Sequence, residues 1–415
     1  MNRYERYKDS GIPWLGEVPE HWDKIAIHYL VNLKSGDSIT ALDLVENGEY
    51  PVFGGGGFRG YINSFTHSGQ FNLIGRQGAL CGNVTLANGK FFATEHAIVV
   101  TPIKKLDTKW LYYLLITMNL NQYSTSAAQP GISAEVIGRL RVPFPNFKEQ
   151  TAIAHYLDTK LGEIDALIDK QQTLLEKLAE QRTAVITHAV TKGLDPSAPM
   201  KKSGVEWLGD VPAHWSIIQF RRVVENIKDG THGTHSRENN GFPLLSAKNV
   251  FNDGIHIHDN ESQISEEDYK LITSNGFPKK NDLLITCVGS IGRCCIYPFD
   301  TPFAFQRSVA FLRLNKNAVP QFYKYFVEST CYQEQLKANV KLSIQGGVYL
   351  GTLISMYAIL PTKEEQTSIA GYLNQETAKI DRLCETVNQT IGRLKEYRTA
   401  LITQAVTGKI KVTDE

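Results

Sequence analysis

The chain repeats itself. Residues 10 to 22, from Ser10-Gly11 through Trp14-Leu15-Gly16 and Val18-Pro19 to His21-Trp22, return 193 positions later, from Ser203-Gly204 through Trp207-Leu208-Gly209 and Val211-Pro212 to His214-Trp215. A longer segment, Gln150 to Thr191, matches Gln366 to Thr407 at a displacement of 216, with 19 identities in 42 gapless positions. Between these shared segments lie two inserts that resemble each other only faintly. A constant frame around two different inserts restricts the fold, because like halves of one chain pack about a pseudo-two-fold axis as the subunits of a symmetric dimer do. It restricts function too. Frames that agree around inserts that differ suit two modules reading the two unlike halves of a bipartite, asymmetric ligand.

The long repeated segment has the pattern of an associating helix. Steps of four and three give Leu157, Leu161, Ile164, Ile168, Gln171, Leu175, Leu178, Arg182, Val185 and Ala189. The second copy holds the same register with Leu373, Thr377, Ile380, Cys384, Val387, Ile391, Leu394, Arg398, Leu401 and Ala405. Such an a/d seam marks a coiled coil or subunit interface. Asn146 with Glu149, and Thr362 with Glu365, form capping boxes at the starts, and Gly193 and Gly408 mark the ends. A helix of this length is a rod of about 65 to 70 Å, which favours a spacer over an ordinary core helix. Gln171 either fixes the register or is tolerated, while its counterpart Val387 is apolar. Arg182 and Arg398 either face an acidic partner surface or snorkel to water.

The expected fold class is α+β, with two strand-rich globular domains separated by an antiparallel pair of long coiled-coil helices and related by a pseudo-two-fold repeat. The boundaries are a head at 1–22, a first insert at 23–147, a helix at 148–192, the repeated head at 193–215, a second insert at 216–363, a helix at 364–410 and a tail at 411–415.

Composition narrows the environment. The opening Met1-Asn2-Arg3-Tyr4-Glu5-Arg6-Tyr7-Lys8 is too polar for a signal peptide, and no apolar run is long enough to cross a bilayer, so a soluble, cytoplasmic protein is expected. The six cysteines lack metal-ligand spacing and read as free thiols, with Cys294 and Cys295 as packing residues. A formal net charge of +1 is low for a nucleic-acid binder working alone. Either the ligand is not a polyanion, or other subunits supply much of the phosphate contact.

Within the inserts, apolar strands run into polar, glycine-rich loops. Arg59 follows Gly54-Gly55-Gly56-Gly57, Arg76 and Gln77 follow Leu73-Ile74-Gly75, Lys248 and Asn249 follow Leu244-Leu245-Ser246-Ala247, and Ser290 and Arg293 flank Ile291-Gly292. Side chains on such loops reach into a groove, although a plain surface turn has the same pattern. The four-glycine run reads as a flexible turn, since neither a helix nor a Lys-Ser/Thr pair follows it. Gln129 and Gln345, which align at the displacement of the long helices, either contact adenine edges or cap a turn. No nucleophile elbow, zinc motif, Walker A loop or methyltransferase motif stands out. The residues alone describe a two-module recognition subunit without chemistry of its own.

The heads ending in Val-Pro-x-His-Trp, the helix starts Pro145-x-x-x-Glu149-Gln150 and Pro361-x-x-x-Glu365-Gln366, and the glycine-rich inserts resemble the DNA-specificity subunits of Type I restriction-modification enzymes. The resemblance covers essentially the whole chain. It implies two target recognition domains, each reading one half of a split DNA site, on helices that bind two modification subunits. Those subunits methylate an adenine in each half with S-adenosylmethionine, and a restriction subunit using ATP and Mg joins them. No catalytic residue, cofactor or metal is then expected in this chain. A non-enzymatic coiled-coil scaffold with two tandem ligand-binding modules is the alternative, and it leaves the constant frame around divergent inserts unexplained.

Overall fold

A computed structural model of the chain describes residues 3–124, 130–340 and 346–412. It forms two compact units, Met1–Gln171 with Asn388–Glu415, and Gln172–Val387. The first contains β1 (Asp23–Ala26), β2 (Val31–Ser35), β3 (Tyr50–Gly54), β4 (Gly57–Ile62), β5 (His67–Gly75), β6 (Val84–Ala93), β7 (Ala97–Pro102), helix α1 (Thr108–Thr117) and β8 (Arg141–Phe144). Six of these strands make one sheet in the order β2-β7-β5-β6-β3-β4, and β1 pairs with β8. The second unit repeats the plan with β9 (Ser216–Gln219), β10 (Val224–Asp229), β11 (Phe242–Leu245), β12 (Leu283–Thr286), β13 (Cys294–Ile296), β14 (Ala304–Phe305), β15 (Val309–Leu314), helix α3 (Pro320–Glu328) and β16 (Tyr357–Leu360). Here the sheet order is β10-β15-β12-β13, β11 pairs in parallel with β14, and β9 pairs with β16.

The repeated helices are α2 (Phe147–Lys192) and α4 (Lys363–Val406). The second ends short of the expected 410, because Gly408 turns the chain with a left-handed φ of 72° and a Cβ there would stand 2.5 Å from Pro19 Cδ. The changeover between units falls after Gln171 in α2 and after Val387 in α4, which are counterparts in the repeat. Each unit therefore owns the start of one helix and the end of the other. In the first unit, Ile153, Leu157 and Leu161 share a core with Leu401, Ile402, Ala405, Trp22 and Trp110. In the second, Ile369, Ala370 and Leu373 share one with Ile186, Ala189, Trp215 and Phe322.

A polar joint explains why the head and the helix start repeat together. Glu149 Oε1 accepts from Trp22 Nε1 at 3.1 Å and meets His21 Nε2 at 2.9 Å, while Oε2 accepts from Asn146 Nδ2 at 2.8 Å. Glu365 Oε1 accepts from Trp215 Nε1 at 3.0 Å and meets His214 Nε2 at 2.7 Å, and its Oε2 accepts from the Thr362 backbone at 3.0 Å. Next in each helix stands a buried glutamine. Gln150 accepts from Asp107 N at 3.0 Å and donates to Pro145 O at 2.9 Å, and Gln366 accepts from Val319 N at 2.8 Å and donates to Pro361 O at 3.0 Å. Head, insert helix and long helix are locked by two consecutive side chains, and the strict repeat of Glu-Gln follows from that geometry.

Candidate nucleic-acid interface

Sequence comparison of the inserts shows little, yet their backbones share one corner. At the end of the first sheet strand, Asp37 N donates to Ala93 O at 2.9 Å, and Thr231 N donates to Phe305 O at 2.8 Å. The glycine before each is obligatory, since a Cβ on Gly36 would lie 2.1 Å from Ala93 O and one on Gly230 2.2 Å from Phe305 O. In the loop after β5 or β12, Arg76 N donates to His96 O and Cys287 N to Ser308 O, both at 2.8 Å. Ile132 N closes onto Arg76 O at 3.0 Å, and Val348 N onto Cys287 O at 2.9 Å. In the turn before the last strand, Glu95 N donates to Asp37 O and Arg307 N to Thr231 O, both at 3.1 Å.

These bonds pair the positions one by one, and the side chains on them differ. Asp37 stands where the second module has Thr231, Arg76 where it has Cys287, Gln77 where it has Val288, Glu95 where it has Arg307, and His96 where it has Ser308. A fixed backbone carrying exchanged donors, acceptors and charges is what two readers of different base sequences need.

Most residues expected to touch DNA lie at or beside this corner. Arg76 and Gln77 are exposed, with Arg76 Nη1 donating to Ser35 Oγ at 3.3 Å. Ser290 is exposed, and Arg59 is exposed on β4, beyond the glycine run. Lys248 is 60% exposed but lies 2.7 Å from Glu261 Oε2, and the Arg293 guanidinium lies over the Phe251 ring at 4.5 Å. Gln129 and Gln345 lie outside the described residues.

Two expectations need correction. Asn249 is completely buried, accepting from Ser246 N at 3.0 Å and donating to Glu261 Oε1 at 2.6 Å and His256 O at 2.9 Å. It closes a capping box, so it builds the turn and cannot reach a base. The four-glycine run is a turn, as expected, but a tight two-residue hairpin turn packed against the loop after β5 rather than a flexible one. Gly54 pairs with Gly57, and a Cβ on Gly75 would stand 2.1 Å from Gly55 O.

Sequence reasoning did not single out Arg307, which holds the frame position that Glu95 holds in the first module. The signal was present: Thr94-Glu95-His96 and Gln306-Arg307-Ser308 are polar triplets between Phe91-Phe92-Ala93 or Phe303-Ala304-Phe305 and the following apolar strand. Two histidines brace the second corner. His232 Nε2 meets Asp229 Oδ2 at 2.7 Å, and His235 is gripped between Asp268 Oδ1 at 2.9 Å and Thr231 Oγ1 at 2.8 Å.

The helical seam is consumed inside the chain. Leu157, Leu161, Ile164, Leu178, Leu373, Ile380, Val387, Ile391 and Leu401 are buried, and Ile168, Leu175 and Leu394 are half-buried. These side chains are unavailable to another subunit, which would have to meet the outward faces, where Leu167, Leu174 and Leu383 are exposed. Arg398 pairs with Asp165 at 2.9 Å, and Arg182 lies 3.9 Å from Asp381, so both arginines face an aspartate of the opposite helix. Among the described residues, no helix is long and apolar enough to cross a membrane. Among the described residues, no group of three or more His, Cys, Asp or Glu side chains is placed to hold a metal.

Comparison with known proteins agrees with the duplicated plan. The family model for the Type I restriction modification DNA specificity domain matches twice, at residues 19–177 and 215–393. The EcoprrI specificity subunit of Escherichia coli is 36% identical over 182 residues, 43% of this chain and 42% of that protein. The EcoBI specificity subunit, also from Escherichia coli, is 25% identical over 74% of this chain and 66% of its own length, so these two relatives are matched over less than two thirds of their lengths. The MjaVIII specificity subunit of Methanocaldococcus jannaschii is 22% identical over 95% of this chain and 94% of its own. A solved structure described as showing complex assembly and conformational transition of the type I R-M system has the same fold, with a TM-score of 0.70, 14% identity and coverage of 95% of this chain and 99% of that one. The HsdS subunit from Thermoanaerobacter tengcongensis aligns with a TM-score of 0.51, 15% identity and coverage of 95% and 98%. With two family matches spanning most of its length, each on one copy of the repeated frame, this chain belongs to the Type I restriction-modification DNA specificity family.

Proposed function

We propose that the chain is the non-catalytic DNA-reading subunit of a Type I restriction-modification system, with each module reading one half of a bipartite, asymmetric site. The observation that carries this reading is the shared corner, where one backbone frame carries Arg76, Gln77 and Glu95 in the first module and, at the same positions, the buried Cys287, Val288 and the exposed Arg307 in the second. The chain works in the cytoplasm and scaffolds two modification subunits, which bring S-adenosylmethionine and methylate adenine. A restriction subunit with ATP and Mg joins the same assembly. The low net charge of +1 supports shared custody of the DNA backbone, with partner subunits supplying phosphate contacts.

The test is co-expression with the modification partner in a host lacking other adenine methylation, followed by sequencing of methylated adenines. One split motif with unlike halves is expected, and replacing residues 23–147 by the insert of a relative changes one half alone. Methylation by the purified chain without a partner, or a substitution in one insert that alters both halves equally, would overturn the reading.

A further inference from the structure

The corner of the second module carries several cations, and most are already committed. Lys248 is held 2.7 Å from the buried carboxylate of Glu261. The half-buried Arg293 lies on Phe251. His232 is bound to Asp229, and His235 is clamped by Asp268 and Thr231. Arg307 is different. It is exposed, and among the described residues its guanidinium has no partner. Its backbone is nonetheless fixed, because Arg307 N donates to Thr231 O at 3.1 Å and the flanking β14 and β15 are buried. The side chain lines a cavity of about 280 Å³ together with Asp229, His232, Cys287, Val288 and Tyr349. Asp229 does not capture it, being engaged with His232 at 2.7 Å.

We propose that Arg307 is the base-reading cation of the second module and donates both arms of its guanidinium to O6 and N7 of one guanine in the second half-site. This rests on the DNA-specificity reading above and adds the residue and the base. A planar fork on a rigid turn matches that acceptor pair, the commonest specific contact in the major groove. The first module mounts its cation elsewhere on the same frame. Arg76 leaves from the loop after β5, where the second module has the buried Cys287, and Glu95 occupies the position of Arg307 with the opposite charge. The two modules thus approach their half-sites with a guanidinium from different edges of one corner.

The experiment compares wild type, Arg307→Ala and Arg307→Lys, each assembled with the modification partner, by sequencing methylated adenines and by competition binding on duplexes carrying each base at every second-half position. Arg307→Ala is expected to relax one guanine position in the second half-site, lowering discrimination there roughly tenfold to a hundredfold, with the first half-site unchanged. Arg307→Lys keeps affinity better than discrimination, because an ammonium is a point charge. Retention of the first half-site motif reports that the variant has folded and assembled. A loss uniform across all sequences would make Arg307 a phosphate contact and overturn the proposal, as would unchanged preference at every position. Failure of the wild type itself to methylate a bipartite site would instead overturn the DNA-specificity reading.

Discussion

Glu365 shows how much a single carboxylate organises in this chain. Burial by itself raises its pKa, but bonds from Trp215, His214 and Thr362 outweigh that and hold it at about 2, against an ordinary value near 4.5. A depressed folded pKa gives stability that is complete above the ordinary value and lost as pH falls toward the folded one. Glu365→Gln is therefore expected to melt below wild type at pH 7, with the gap closing between about pH 4.5 and 2; a gap constant with pH would contradict this. Asn249→Ala is expected to cost about 1 to 3 kcal/mol in denaturant unfolding, because Glu261 and Ser246 lose a buried partner, while base preference stays intact. Asn249 was misread from sequence because an Asn on a polar turn looks like a reader, and only burial shows it to be the turn's own fastening. Arg307 was passed over for the converse reason: the polar triplet Gln306-Arg307-Ser308 is visible in the sequence, but its place beside Thr231 is set by a long-range backbone bond that no local pattern displays. The adjacent Cys294 and Cys295 have a simple account, since neighbours on a strand point to opposite faces, and each packs into a different core. Burial raises the pKa of Cys287 and of Cys295 to about 12. A thiol reagent at neutral pH should label only the half-exposed Cys384 in the native protein, and rapid labelling of a second cysteine would count against the described core.

At the scale of elements, the long helices were the most legible part. A seam that recurs at fours and threes admits one buried face, and each seam position of α2 and α4 is buried or half-buried. The inserts were legible as strands with loops but not as copies of each other. Their common frame is made by main-chain bonds, with few side-chain requirements beyond Gly36 and Gly230, so the two sequences drifted apart while the backbone stayed. Continuity of the helices permits a direct test of their use as a ruler. Adding one heptad to each lengthens it by about 10 Å, close to three base-pair rises, and preserves the seam. The expected methylation motif keeps both half-sites with a longer spacer between them. Recovery of the original spacer would rule out the ruler.

For the whole molecule, the internal repeat implies that the first half can substitute for part of the second. A chain ending at Gly193 lacks α4, whose Leu401, Ile402, Ala405 and Val406 complete the first unit's core. Its own Val185, Ile186, Ala189 and Val190 are the counterparts of those residues, and a second copy can supply them. The fragment 1–193 is thus expected to sediment as a dimer and, with the modification partner, to methylate an inverted repeat of the first half-site. Two copies of the fragment would carry a polar Gln171 at the same seam position of both helices, where the native chain has Gln171 in one helix and Val387 in the other, and this would weaken the dimer. A strictly monomeric fragment would refute the expectation. The duplicated joint of Glu149 with His21 and Trp22, and of Glu365 with His214 and Trp215, has a consequence for inheritance. Because the residues that must fit together, a His-Trp pair and a Glu-Gln pair, are the same in both halves, crossover within these segments exchanges an insert as a cassette and leaves the locks closed. A genome can thereby acquire a new target sequence in one genetic event, without first passing through a protein that fails to fold.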